Sequence, residues 1–503
     1  MEDSIRKEVF NSIKLQASKH ADIHIKDLLD KKRLEEFQVH SKYLSFDYSK
    51  QRLTEETLSE LILIPEKINL RKSILDLSNG EFVNSTEERT ASHMLYRNLS
   101  QNSNSKEQKE ISKQKAKLKL SLEKIGNLLP RPISTIISIS IGGSRLGPEI
   151  LSEAFGGSCS GLKVHYCSSV DLIELNSVLS SSDPMKTIII ISSKSFNTPE
   201  VIKNANRSKE WLEAKLGDNC WDQIFGISCN KKAMYDFGIK DTNQFEILES
   251  LGGRYSIWSS ISLSSILDMG QQAFEDFKAG AYEADLHFNN SPWEKNIPVL
   301  MALISCWNMN GNGINNLGIF TYNYRIRSLN KYLSQMGMES NGKTYTNNKD
   351  LSLYKTCPLI WGGYGPESQH SVFQWLLQGT DYSACDFIGI DVDDDSDANI
   401  TSDSYSMLLA QAAALSLGEE NQELKYKSVI GNNPISLLKL NGFSPKTFGF
   451  LLASYEHKVF VESQIYGINP FDQWGVQLGK KLIIESKKNK EFMKNYFDEK
   501  FLN

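Results

Sequence analysis

Glu339 is a residue that could do chemistry by virtue of its place. It stands in QMGMESNGK, residues 335–343, after a stretch with helical spacing and before the turn sequence Ser340-Asn341-Gly342. A carboxylate there is either a solvated helix end or a general base held in place by its turn. The stretch alone leaves both open. Two other segments could hold an anion. In SIGGSRLGPEI, residues 140–150, the pair Gly142-Gly143 lets backbone approach a ligand closely. The helix that follows would offer free N–H groups and the positive end of its dipole. The spacing is not GxGxxG, so a dinucleotide site is not supported. In SSKSFNTPE, residues 192–200, Ser193, Ser195 and Thr198 supply hydroxyls and Lys194 a cation. Such a cluster suits phosphate. Helix capping is the other use of the same hydroxyls.

Arg254 follows a glycine pair in LGGRYSIWS. It reads as a charge on an exposed turn, solvated or ion-paired, with the glycines again suggesting a close backbone approach. His370, in GGYGPESQHSVFQ, lies at a strand-to-helix junction, whereas His93 and His457 fall in helical stretches where structural roles are expected. In DQWGVQLGK, Gln473, Gln477 and Lys480 are spaced i, i+4 and i+7, which would make one polar stripe on a helix.

Elements must hold these residues in place. Apolar, β-branched runs at 133–141, 162–167, 186–192 and 224–229 alternate with helical stretches. That pattern predicts a parallel sheet covered on both faces, with the loops after the first and third strands converging at its carboxyl edge. A second alternation runs through LGIFTYNY, CPLIWGG and CDFIGIDV. Between the first two, Leu329, Tyr332, Leu333 and Met336 share one helical face. The first hundred residues read as helices and loops. Near the C-terminus Ser444-Pro445 starts a helix, and Asn469-Pro470 breaks it before a restart at Asp472. The chain is therefore α/β with two such domains, as 503 residues exceed one ordinary core.

Composition narrows the classes. Hydrophobic content of 40%, charged content of 23% and a net charge of −5 describe a soluble globular protein with no general attraction for nucleic acid. No apolar run is long enough to span a bilayer, and MEDSIRKEVF lacks the pattern of a secretory signal, so no membrane partner and a cytoplasmic location are expected. Seven scattered cysteines without a CxxC pair predict buried free thiols rather than disulfides or structural zinc. DVDDDSDANITSD, residues 391–403, has alternating carboxylates, but Ser396 and Ser402 occupy the glycine and terminal glutamate positions of a calcium loop, so a solvated loop is expected.

Taken together, separated blocks resemble the glucose-6-phosphate isomerase (phosphoglucose isomerase) family. They are NSTEERTASHMLYRN, IGGSRLGPE, SSKSFNTPE, LGGRYSIWSSISLS, MESNGK, WGGYGPESQHSVFQWLLQGT and YEHKVFVESQIYGINPFDQWGVQLGK, in the family's order from Asn84 to Lys480. The resemblance implies two sugar-isomerase (SIS) sandwich domains, the smaller over 111–280 and the larger over 281–503 with the C-terminal helices. Residues 1–110 would be a helical segment packed on the larger domain. It implies reversible aldose–ketose isomerisation of glucose 6-phosphate and fructose 6-phosphate through a cis-enediol(ate), with no cofactor and no metal. Glu339 matches the base that moves the proton between C1 and C2, and Gln335 would touch the substrate. His370 matches the histidine that assists ring opening, with Lys480 acting beside it. Arg254 matches the arginine that stabilises the enediolate. Gly143, Ser144, Ser193, Lys194, Ser195 and Thr198 match the phosphate loops, and Gln473 a further substrate contact. A homodimer with shared sites is implied.

Three positions depart from the family pattern. Arg145 replaces an aspartate and would add positive charge near the first phosphate loop. Glu367 brings a negative charge close to His370, and Gln477 replaces a glutamate that would accompany Lys480. Two alternatives stand beside this reading. One is an isomerase that also accepts mannose 6-phosphate. The other is a phosphosugar-binding regulator, which would need neither Glu339 nor His370 and would usually carry a helix-turn-helix segment; none is found.

Overall fold

The computed structural model describes residues 2–98, 106–128, 133–157, 161–390, 398–488, 492, 493 and 496. Cys159 and Asp391–Asp397 of the acidic stretch lie outside them. Among the described residues, eleven strands form two sheets. The first holds β3 (Thr135–Ile139), β4 (Lys163–Cys167), β5 (Thr187–Ser192), β6 (Ile224–Ser228) and β7 (Gln244–Glu246). Its order is β4-β3-β5-β6-β7, and every pairing is parallel. The isoleucine runs explain this. Along β3 and β5, Ile137, Ile139, Ile189 and Ile191 enter one core, while Ile136, Ile188 and Ile190 enter another on the opposite face. A strand with period 2 and apolar residues at every position can only be buried on both sides.

The second sheet holds β1 (Gln38–His40), β2 (Leu44–Lys50), β8 (Asn316–Thr321), β9 (Leu359–Tyr364), β10 (Ala384–Ile390) and β11 (Ile435–Leu440), in the order β1-β2-β11-β10-β8-β9. β9, β8, β10 and β11 run parallel, whereas β2 pairs antiparallel with β11 and β1 with β2. The N-terminal hundred residues are thus not helices and loops throughout. LSFDYSK alternates buried and half-buried residues and adds the hairpin β1–β2 to the sheet. Its signal is weak because serine, aspartate and lysine interrupt the apolar positions. β7 and β11 also escape the sequence reading. β7 has only three residues, and ISLLKL reads equally as a helix fragment.

The Leu329–Asn341 helix buries Leu329, Tyr332, Leu333 and Met336 at 2% exposure or less, the face its periodicity marks. The Pro445–Tyr466 helix starts as expected: the Ser444 side chain accepts from the Thr447 N–H in a capping box, with Pro445 at the first turn. This helix crosses the Gln271–Asn290 helix backbone to backbone. A Cβ on Gly449 would lie 2.0 Å from the Phe277 carbonyl oxygen, and one on Gly280 1.9 Å from that of Lys446. After Gly467 the chain does not restart at Asp472. Gln473 precedes a single 3-10 turn, Trp474–Val476, and the next helix is Gln477–Lys488.

One buried charge cluster binds three of the sequence blocks together. Arg97 grips Asp285 with Nε at 3.0 Å and Nη2 at 2.6 Å, and its Nη1 donates to Glu456. Trp258 Nε1 donates to the other oxygen of Glu456 at 2.8 Å, and His457 Nε2 meets Asp285 at 2.8 Å. His457, in YEH, thus has the structural role its helical stretch suggests, and HMLYR and the Trp258 end of RYSIW join it in one buried polar cluster. His93 is likewise structural: it is buried and stacks on Tyr255 with ring centroids 4.9 Å apart.

Candidate active site

A cleft of about 1020 Å3 opens at the carboxyl edge of the first sheet. The loops after β3, β5 and β6 line it with Gly142–Ser144, Ser193–Ser195, Asn197, Thr198 and Cys229–Lys231. These are the positions from which parallel strands present ligand-binding loops. Gly142, with φ at +60°, turns the chain into the Gly143–Phe155 helix and has no side chain to cap it. The first N–H groups of that helix are left for an anion. Gly143 is required by backbone rather than by ligand. A Cβ there would lie 2.3 Å from the Gly253 carbonyl group, so two glycine turns, IGGS and LGGR, press against each other.

On the second loop, Ser193 Oγ and Thr198 Oγ1 are 3.0 Å apart. Thr198 occupies the N-cap of the Pro199–Leu216 helix, yet its side chain caps nothing. Capping therefore does not account for these hydroxyls. Phe196 has φ at +53° and its ring is buried beside Phe237 in the core below. A side chain anchored there fixes the loop from beneath. Lys194 Nζ donates to the Glu249 carbonyl at 2.6 Å, and burial holds its pKa below the ordinary lysine range. Burial also pushes the Cys229 thiol up to about 11, which leaves it a neutral wall at physiological pH.

At the far side of the cleft lie Glu339, Gln335 and Arg254. Glu339 is within the last turn of the Leu329–Asn341 helix, and its side chain is 23% exposed. Gln335, one turn earlier, donates from Nε2 to Glu339 Oε2 at 2.9 Å. The Gln335 Oε1 atom is buried with no partner. Arg254 is not on an exposed turn; it is 2% exposed. Its Nε donates to Ser340 Oγ at 2.7 Å, Nη1 to Gln473 Oε1 at 2.9 Å, and Nη2 to the Asp472 carbonyl at 3.1 Å and to that of Pro470. A guanidinium has five N–H groups and four are thus engaged. The fifth belongs to Nη1, the atom 3.7 Å from Glu339 Oε2. A cation locked this firmly cannot follow charge as it develops; it must already be where the charge will form.

Other expectations fare differently. Gln473 and Lys480 both line the cleft, but not as one helical stripe. Gln473 lies ahead of the Gln477–Lys488 helix and turns back to Arg254, while Lys480 is exposed on that helix. Arg145 adds no free charge to the phosphate loop. Its Nε is 3.0 Å from Glu149, its Nη2 is 3.6 Å from Glu174, and its Nη1 donates to Ser168. Two carboxylates neutralise it. His370 is not brought to this cleft. It is exposed beyond β9, with its N–H on the Glu367 carbonyl at 3.1 Å. Sequence reasoning missed Ser340, Lys343 and Asp472, which tie the Glu339 helix end and the Arg254 guanidinium together. Two of them sit inside MESNGK, but nothing in their spacing says what they meet.

Two α/β sheets, loops that leave N–H groups and hydroxyls available at one sheet edge, and a carboxylate beside a locked guanidinium define the class: an α/β protein with a cleft suited to an anionic substrate and to proton transfer. Comparison with known proteins sharpens this. The family model for phosphoglucose isomerase matches residues 47–500. The glucose-6-phosphate isomerase of Hydrogenovibrio crunogenus is 37% identical over 495 residues, covering 92% of this chain and 91% of the relative. That of Buchnera aphidicola subsp. Cinara cedri is 38% identical over 490 residues, covering 91% and 89%. A crystal structure of a glucose-6-phosphate isomerase from Chlamydia trachomatis superposes with a TM-score of 0.89 at 28% identity, covering 95% of each chain. The chain belongs to the phosphoglucose isomerase family.

Proposed function

We propose that this cleft interconverts glucose 6-phosphate and fructose 6-phosphate by moving one proton between C2 and C1, with Glu339 as the base. The observation that carries the reading is the Glu339 carboxylate held by Gln335 and Arg254 in a cleft whose other wall is two anion loops. The phosphate binds at Gly143, Ser144, Ser193, Lys194, Ser195 and Thr198. Glu339 takes the proton from the carbon next to the carbonyl, and the electron pair passes into the C1–C2 bond and onto the carbonyl oxygen. The free Nη1 hydrogen of Arg254 meets that enediolate oxygen. The hydroxyl proton passes from the oxygen on the deprotonated carbon to the former carbonyl oxygen, and Glu339 returns the carbon-bound proton to the neighbouring carbon, so one base serves both directions. Gln473 contacts the sugar and also fixes Arg254.

Opening of the sugar ring is assigned to Lys480 and to His370 of the partner subunit. Two features support a shared site in a homodimer. His370 is exposed and does not line its own chain's cleft, and exposed aromatic surface lies nearby at Trp375 and Tyr324. Free thiols at all six described cysteines support a reducing, cytoplasmic setting. No described helix is long and apolar enough to cross a membrane. The domain division near residues 110 and 280 belongs to the same proposal, supported by the first sheet ending at Glu246 and β8 opening at Asn316.

Mixed dimers test the shared site. Glu339→Gln and His370→Ala homodimers should each be nearly inactive. Unfolded together and reassembled in equal amounts, about half the dimers are mixed, so about a quarter of all sites are intact. Recovery toward about a quarter of wild-type activity is expected. No recovery, with mixed dimers demonstrated by a tag, refutes the sharing.

A further inference from the structure

We propose that Lys343 and Asp472 are positioning residues for this reaction: their half-buried ion pair clamps the 469–473 loop to the end of the Leu329–Asn341 helix and so sets where the Arg254 guanidinium stands relative to the Glu339 carboxylate. The proposal rests on the roles given above to Glu339 and Arg254. Lys343 Nζ donates to Asp472 Oδ1 at 2.6 Å, to the Asp472 carbonyl at 2.6 Å and to the Glu339 carbonyl at 3.3 Å. The two side chains are 16% and 6% exposed. Neither residue lines the cleft, so neither is placed to meet the substrate.

The geometry couples both members of the pair to the reacting groups. The Asp472 carbonyl is shared: Lys343 Nζ reaches it at 2.6 Å and Arg254 Nη2 at 3.1 Å. Moving that oxygen moves an anchor of the guanidinium. Lys343 also holds the backbone of Glu339, whose carboxylate faces Arg254 Nη1 at 3.7 Å. The other face of Asp472 is fixed as well. Its Oδ2 accepts from Thr86 Oγ1 and from Asn469 Nδ2 at 3.2 Å, which ties NSTEERT to the same loop.

Stability gives little reason for such a pair. Two desolvated charges lose about as much hydration as their attraction returns, and burial already holds the Lys343 pKa below the usual lysine range against the pull of Asp472. What an ion pair supplies here is a fixed distance. Displacing a reacting group by about 1 Å costs up to about 100-fold in rate.

The test separates positioning from folding. Lys343→Met and Asp472→Asn each strand a buried charge or acceptor, so both should lower the urea midpoint. The double variant leaves neither, and its midpoint should recover most of the loss. Its kcat should not recover. We expect a fall of about 10- to 100-fold with KM for fructose 6-phosphate within about 3-fold of wild type, and Lys343→Arg within about 5-fold of wild-type kcat. Two ligands provide a second readout. A five-carbon aldonohydroxamate 5-phosphate, planar like the enediolate, should bind the double variant more weakly by the same factor as kcat/KM falls. Glucitol 6-phosphate, which has the phosphate but no planar centre, should bind unchanged. Wild-type kcat in the double variant, or equal weakening of both ligands, overturns the proposal. Glu339→Gln run alongside locates the failure. If it is inert while the double variant is fully active, the pair alone is refuted. If it turns over normally, the assignment of the base falls, and the pair with it.

Discussion

Replacing Glu339 by glutamine removes the proposed base while disturbing little else. The amide is isosteric, and its oxygen can still accept from Gln335 Nε2, now 2.9 Å from Oε2. What disappears is the proton acceptor and one negative charge 3.7 Å from Arg254 Nη1. At an effective dielectric of about 20 that charge pair amounts to about 4 kcal/mol, an upper value because the glutamate reaches solvent. In the wild type this attraction competes with any hold Arg254 has on a substrate oxygen. Neutralising it leaves ground-state binding no weaker, so KM should stay level or fall. The base itself contributes about 10²- to 10⁴-fold, or about 3–5 kcal/mol of barrier. The expected result is therefore a kcat loss of at least about 100-fold with no rise in KM. A coupled dehydrogenase assay of glucose 6-phosphate formed from fructose 6-phosphate gives both constants. Proton exchange at C1 and C2 in deuterium oxide, followed by NMR, reads the abstraction step directly and should fall by the same factor. A kcat within about tenfold of wild type, or a loss matched by an equal rise in KM, would refute Glu339 as the base.

Lys194→Ala should act at the other end of the cleft, raising KM by about 10-fold or more with a smaller change in kcat, because one charge-assisted phosphate contact is worth about 1.5–3 kcal/mol; an unchanged KM would remove Lys194 from the phosphate site. Two buried histidines should work against the fold in acid. Burial holds His93 well below its ordinary pKa of 6.5 and lowers His287 to about 4. The unfolded chain takes up protons on these rings below about pH 6.5 while the folded chain refuses them, so their contribution to stability falls as pH drops from 6.5. For His287 alone the loss is about 2 kcal/mol at pH 5. Burial raises Glu456 to about 7, which acts in the opposite sense, so the histidine contribution is read as the difference in urea midpoint between wild type and His287→Asn at pH 7.5 and at pH 5; the same difference at both would contradict the burial of that ring.

Much of this protein was legible in its sequence because the information was local. Isoleucine runs with no polar face can only be central strands of a covered parallel sheet, and β3, β5 and β6 are buried throughout. Glycine pairs and hydroxyl clusters after such strands marked the cleft, and a helical face marked by Leu329, Tyr332, Leu333 and Met336 fixed which way Gln335 and Glu339 could point. What escaped was decided by partners far away in the chain. LSFDYSK became a strand only because β11 offered it an edge about four hundred residues later. Arg254 looked solvated because its acceptors, Ser340 and the 470–473 loop, lie about 85 and 220 residues on. Arg145 looked like a free charge until Glu149 and Glu174 met it. An ionisable side chain takes its role from the dielectric and the charges around it, and those are set by packing, not by sequence neighbours. The sequence by itself thus determined the central strands of the first sheet and the glycine, hydroxyl and carboxylate positions that line the cleft. Only the tertiary structure decided that Arg254 is locked, that Gln473 serves it, and that His370 lies outside the cleft of its own chain.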